Sequence, residues 1–150
     1  MKPLQAGDAL LIVDVQNDFV ADGALAVPGG QEVIPPLRRY LVRFAEHGLP
    51  VFATRDWHPP DHCSFHTQGG PWPPHCVAYT PGAQFPEDLR LPLSTVVISK
   101  GTDPAHEAYS GFQGTPLHDR LRTAHIVRLF IGGLATDYCV LETVRDARTL

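Results

Sequence analysis

Residues 9–19 read Ala9-Leu10-Leu11-Ile12-Val13-Asp14-Val15-Gln16-Asn17-Asp18-Phe19. Five apolar residues run without polar alternation and stop at Asp14. A strand with one wet face alternates; an unbroken run predicts a strand covered on both faces, as in a parallel sheet. Three more β-branched runs, at 51–54, 96–99 and 125–131, fit the same reading.

Between the first two runs, Ile34, Leu37, Leu41, Phe44 and Ala45 fall on one helical face, and Gly48 is the stop signal. Residues 116–122 make a short helix with Leu117 and Leu121 inward. A last helix starts at Thr136 or Asp137, either of which suits an N-cap, and repeats Val140, Val144 and Ala147. Strands alternating with helices imply an α/β domain with right-handed crossovers.

The 150-residue length suits one domain, 1–150, large enough to bury a core without disulfides or metal staples. A net charge of −4 argues against a nucleic-acid or anionic-membrane partner. No apolar run approaches the ~20 residues of a membrane span, and Asp14 breaks the early run before it resembles a signal peptide. Three cysteines, Cys63, Cys76 and Cys139, are odd in number and suit a reduced, cytoplasmic chain.

Residues 57–92 hold eight of the fifteen prolines and four of the eight histidines, His58, His62, His66 and His75. A stretch this long without regular structure inside a compact domain points to function. The chain stops at Leu150 within a helical pattern, where an α/β domain normally continues. A shortened domain with an exposed strand edge is the expectation, and with it lower stability and association as a homo-oligomer.

Ligands of open parallel sheets bind beyond the carboxyl ends of the strands. Those ends supply Asp14, Asp56-Trp57-His58, Lys100, and Cys139 after a Gly-Gly turn. Cys139 in the first turn of a helix is favoured as a thiolate. By position alone it is equally a buried structural cysteine. Lys100 and Asp14, read as ending adjacent strands, tip the reading toward a nucleophile with a proton shuttle. Asp56, His58 and His75 offer one oxygen and two nitrogens, a set suited to zinc, iron or manganese. Pro59 and Pro60 exclude a helical HExxH-type site. Phe19 and Trp72 lie beside these residues and suit either a ring clamp or ordinary packing.

The stretches ALLIVDVQNDF (9–19), VPGG (27–30), TRDWH (54–58), GPWPPHCV (70–77), SKG (99–101), YSGF (109–112) and GGLATDYCV (132–140) together resemble the nicotinamidase family of the isochorismatase-like cysteine hydrolases. The resemblance implies a three-layer parallel sheet with helices on both sides, lacking its last strand, helix and strand. It implies hydrolysis of nicotinamide, and of pyrazinamide, in NAD metabolism. Carried onto this chain, Cys139 is the nucleophile, Asp14 the acid/base and Lys100 the third member. Asp56, His58 and His75 hold one divalent ion, zinc first among the candidates, with His62 as a further contact. Phe19 and Trp72 clamp the ring. A cis Leu134–Ala135 bond turns the Ala135 and Cys139 N–H groups toward an oxyanion. The alternatives are a metal-free amidohydrolase of the same superfamily acting on carbamoyl or ureido substrates, and a non-catalytic metal-binding domain.

Overall fold

A computed structural model describes residues 2–150. Four strands, β1 (Asp8–Val13), β2 (Val51–Asp56), β3 (Val96–Lys100) and β4 (Arg128–Gly133), form one parallel sheet in the order β3-β2-β1-β4. Three helices accompany it: α1 (Ile34–Glu46), α2 (Leu117–Thr123) and α3 (Leu141–Thr149).

The two-residue period of β1 divides the core. Leu10 and Ile12 face α1, where Ile34, Leu37, Leu41 and Phe44 are buried. Ala9, Leu11 and Val13 face the other layer with Leu117, Leu121 and Cys139. Helices therefore cover both sheet faces, as the resemblance implied. Full burial of each such side chain contributes about 1.5–3 kcal/mol. Pro35 and Pro36 open α1 in its first turn, where a missing N–H costs nothing. Ala45, expected on the buried face, is exposed.

Central β1 is buried along its whole length, whereas β4 is half-buried throughout because it lies at a sheet edge. Its start also differs from expectation. Residues 125–127 form the turn out of α2, with Ile126 N–H on the Leu121 carbonyl, and the strand begins at Arg128. The last helix is entered through a π-helical turn, Thr136–Val140. Ala135, not Thr136 or Asp137, is its N-cap residue, and no side chain caps it. Val144 and Ala147 line a groove with Leu129 and Ile131 of β4 rather than a closed core.

Register sets the strand ends level. Val13 pairs with Thr54 and with Gly133, and Asp56 pairs with Lys100. Gly133 adopts φ 146° against the Val13 backbone, leaving no space for a Cβ. Asp14, Asp56, Lys100 and the turn carrying Cys139 thus meet at one rim.

Candidate active site

Asp14 leaves β1 at φ 50°, with its N–H bound to the Thr54 carbonyl. Its carboxylate is fully buried, and Thr54 Oγ1 donates to Asp14 Oδ1 at 2.7 Å. Lys100 Nζ lies 2.8 Å from Asp14 Oδ2, a close ion pair without the alignment of a hydrogen bond. Nζ also donates to Asp56 Oδ1 at 2.5 Å, to the Ala108 carbonyl at 3.0 Å and to Cys139 Sγ at 3.5 Å. One buried ammonium therefore gathers two carboxylates and the thiol. Asp14 and Lys100 do not end adjacent strands: β2 lies between β1 and β3, and the lysine side chain crosses its end.

Electrostatics follow from burial and this single cation. Burial raises the Asp14 carboxyl, with Lys100 opposing and Asp56 reinforcing. Burial also acts against ionised Asp56, but Lys100 and His58 outweigh it and hold that carboxyl well below the ordinary range. Burial and the Asp14 charge push the Cys139 thiol well above its ordinary value, against the pull of Lys100. Desolvation thus works against the thiolate that a helix N-terminus favours.

The histidines arise from the proline-rich stretch, where the structure has only short 3-10 turns among loops. His58 exchanges backbone hydrogen bonds with the 76–78 segment, and this brings His75 beside it. His58 Nδ1–H donates to the Gly101 carbonyl at 2.8 Å, and His75 Nδ1–H donates to the Pro73 carbonyl at 2.8 Å. A carbonyl only accepts, so in the neutral rings both Nε2 atoms carry lone pairs. These face Asp56 Oδ2 at 3.5 and 3.8 Å. His58 Nε2 is buried without any hydrogen-bond partner. A buried polar atom left unmade is costly, and a divalent cation would satisfy it. One oxygen and two imidazole nitrogens converging on one point fit such an ion. Gly101, at φ 62°, lies so close to the His58 ring that a Cβ would collide with it.

His62 is placed differently from expectation. It stacks on His58 with ring centroids 4.0 Å apart. Its Nδ1 bonds Ser64 Oγ at 2.7 Å and its Nε2 donates to the His106 carbonyl at 3.0 Å. Both nitrogens are occupied, so His62 supports His58 rather than offering a lone pair.

A cavity of about 260 Å³ opens onto Asp56, His75 and Cys139. Phe19 and Trp72 both lie on its wall, and Phe19 sits 5.6 Å from the His75 ring. Tyr109 and Tyr138 extend the aromatic wall; Trp72 Nε1 donates to the Tyr109 hydroxyl at 3.1 Å. Ala135 lies on the cavity wall after a cis Leu134–Ala135 bond. Its carbonyl accepts the Tyr138 and Val140 N–H groups, with the Cys139 N–H between them in the chain.

Sequence reasoning missed four residues of this site: Thr54, Gln16, Tyr138 and Glu107. Gln16 is fully buried, donates to the Asp56 and Ala83 carbonyls and accepts the Asp56 N–H, fixing the end of β2. A glutamine two residues after Asp14, at the end of the apolar run, was the available signal.

Residues 8–150 match the Isochorismatase domain family, and the chain belongs to this family. It is 41% identical over 163 residues to the nicotinamidase of Escherichia coli K12, covering 95% of this chain and 76% of that protein. It is 43% identical over 147 residues to the nicotinamidase/pyrazinamidase of Mycobacterium tuberculosis H37Rv, covering 93% and 77%. Among solved structures, the pyrazinamidase of Pyrococcus horikoshii in complex with zinc superposes with a TM-score of 0.93 at 50% identity, covering 95% of this chain and 79% of that one.

Proposed function

We propose that this chain is an amidohydrolase that converts nicotinamide to nicotinate and ammonia and also accepts pyrazinamide. The observation that carries the reading is the reach of Lys100 Nζ to Asp14, Asp56 and Cys139 at once, which supports a proton shuttle and a metal ligand gathered with one thiol. Relatives named as nicotinamidases, and the zinc complex of a pyrazinamidase, support the substrate class and the metal.

Asp14 takes the Cys139 proton as Sγ attacks the amide carbon; the S–C bond forms and the C=O electron pair moves to oxygen. Ala135 and Cys139 N–H groups are assigned to that oxyanion, each such donor being worth about 3–4 kcal/mol. Asp14 passes its proton to the departing nitrogen, the C–N bond breaks, and ammonia leaves a thioester on Cys139. Asp14 then draws a proton from water as the water oxygen attacks the thioester carbon; the C–S bond breaks, Asp14 returns the proton to Sγ, and the acid product leaves and ionises to nicotinate. Lys100 keeps Asp14 close to the thiol and offsets the charge of Asp56. Asp56, His58 and His75 would hold a divalent ion, which would supply Lewis acidity for a ring nitrogen of the substrate. Phe19 and Trp72 are assigned to the ring faces.

The reading treats 1–150 as one hydrolase domain, supported by the extent of the family match. A cytoplasmic location accords with three free cysteines, one of them the nucleophile. No described helix is long and apolar enough to cross a membrane.

The test is ammonia release from nicotinamide, pyrazinamide and an N-carbamoyl amino acid, before and after chelation. Turnover of the two ring amides, lost on chelation and restored by zinc, is the expected result. Chelation-insensitive turnover of the carbamoyl substrate alone would establish the metal-free amidohydrolase reading instead.

A further inference from the structure

Beyond the three ligands, one acidic side chain is directed at the imidazole cluster. Glu107 lies in the loop between β3 and α2, half-buried, on the wall of the cavity that exposes Asp56 and His75. A carboxylate oxygen of Glu107, a ring nitrogen of His58 and one of His62 all lie within 4.8 Å of one another. Glu107 Oε1 accepts only the Ala108 N–H, at a long 3.2 Å. Oε2 has no hydrogen-bond partner among the described residues. The loop itself is anchored: Gln113 Nε2 donates to the Glu107 carbonyl, and Lys100 Nζ donates to the Ala108 carbonyl.

The structure thus holds a carboxylate acceptor on the same cavity wall as Asp56 and His75 and within 4.8 Å of a His58 ring nitrogen, and the other nearby group, His62, has both nitrogens engaged.

A divalent ion held by one carboxylate and two imidazoles keeps positions for water. Its water protons are strong donors, and a carboxylate on the adjoining cavity wall is the natural acceptor. We propose that Glu107 is the outer acidic partner of the Asp56–His58–His75 centre, accepting hydrogen bonds from water on the bound ion and strengthening its retention. This rests on the metal reading above. Glu107→Gln preserves shape while removing the charge and half of the acceptor capacity. Asp137 provides the control: it also lines the cavity, is exposed, and belongs to no potential ligand group.

The experiment titrates metal-free wild type, Glu107→Gln and Asp137→Asn with zinc in competition with a chelator, and records cobalt(II) visible spectra of each. The expected result is a Kd about 10–100-fold weaker for Glu107→Gln, a Kd within twofold of wild type for Asp137→Asn, unchanged cobalt bands and unchanged thermal unfolding of the metal-free proteins. Wild-type and Glu107→Gln affinities within twofold would overturn the role of Glu107 while leaving the centre intact. Equal weakening by Asp137→Asn would reduce it to a general charge effect and overturn it. Shifted cobalt bands in Glu107→Gln would make Glu107 a direct ligand and overturn the water-mediated role. Absence of one-to-one zinc binding by wild type would overturn the metal reading and the inference together.

Discussion

Lys100 Nζ stands 2.8 Å from Asp14 Oδ2 although β2 separates their strands. Parallel register makes this possible, because Asp56 at the end of β2 is level with Lys100 and the lysine passes over it. The same ammonium contacts Asp56 and Cys139, so the residues proposed for proton transfer and for the metal share one cation.

Asp14→Asn should cut kcat for nicotinamide by about 10²–10⁴-fold, the usual range for a positioned proton-transfer group. The amide keeps the volume and the contact with Thr54 but cannot carry the proton. Steady-state kinetics with circular dichroism separates this outcome from unfolding; turnover within tenfold of wild type would remove Asp14 from proton transfer.

Lys100→Met leaves Asp14 and Asp56 buried without their shared counter-charge. Removing one partner of a buried charge set costs about 3–5 kcal/mol. Urea unfolding of the metal-free protein should show that loss, and the additional change Asp14→Asn should recover part of it. A Lys100→Met protein as stable as wild type would contradict the buried-charge account.

The Asp8–Arg128 pair gives a pH signature far from the site. Arg128 Nε donates to Asp8 Oδ1 at 2.7 Å and Nη2 to Oδ2 at 2.6 Å, joining β1 to β4. That fork, together with the Gln5 N–H and against the desolvation cost, lowers the Asp8 pKa. A depressed folded pKa contributes stability that is present above the unfolded value of about 3.9 and is lost as pH falls through the folded one. Urea midpoints of wild type and Asp8→Asn should therefore differ at pH 6 and converge below about pH 4. A constant difference across that range would remove the pair from acid sensitivity.

Much of the rim was legible because its residues end apolar runs. Asp14 closes an unbroken strand, and Lys100 follows Val96, Val97, Ile98 and Ser99. The start of β4 was not, because hydropathy favours Ile126 and Val127 whereas register begins with Arg128 opposite Asp8. Thr54, Gln16 and Glu107 were equally hidden. Thr54 and Gln16 bond partners distant in the chain, as when Thr54 reaches Asp14 forty positions away, and Glu107 lies near His58 and His62 only through folding; composition carries no trace of such pairing. The setting of Cys139 was hidden for a related reason: a helix terminus is visible in sequence, but the burial of the thiol beside Asp14, which opposes its ionisation, is not.

The most direct test of the central claim measures nicotinate formation from nicotinamide by the zinc-loaded wild type, Cys139→Ala and Cys63→Ala. The account predicts product from wild type and Cys63→Ala at similar rates, and loss of at least about 10³-fold in Cys139→Ala with the fold and metal content retained. Near-normal nicotinate formation by Cys139→Ala would contradict it.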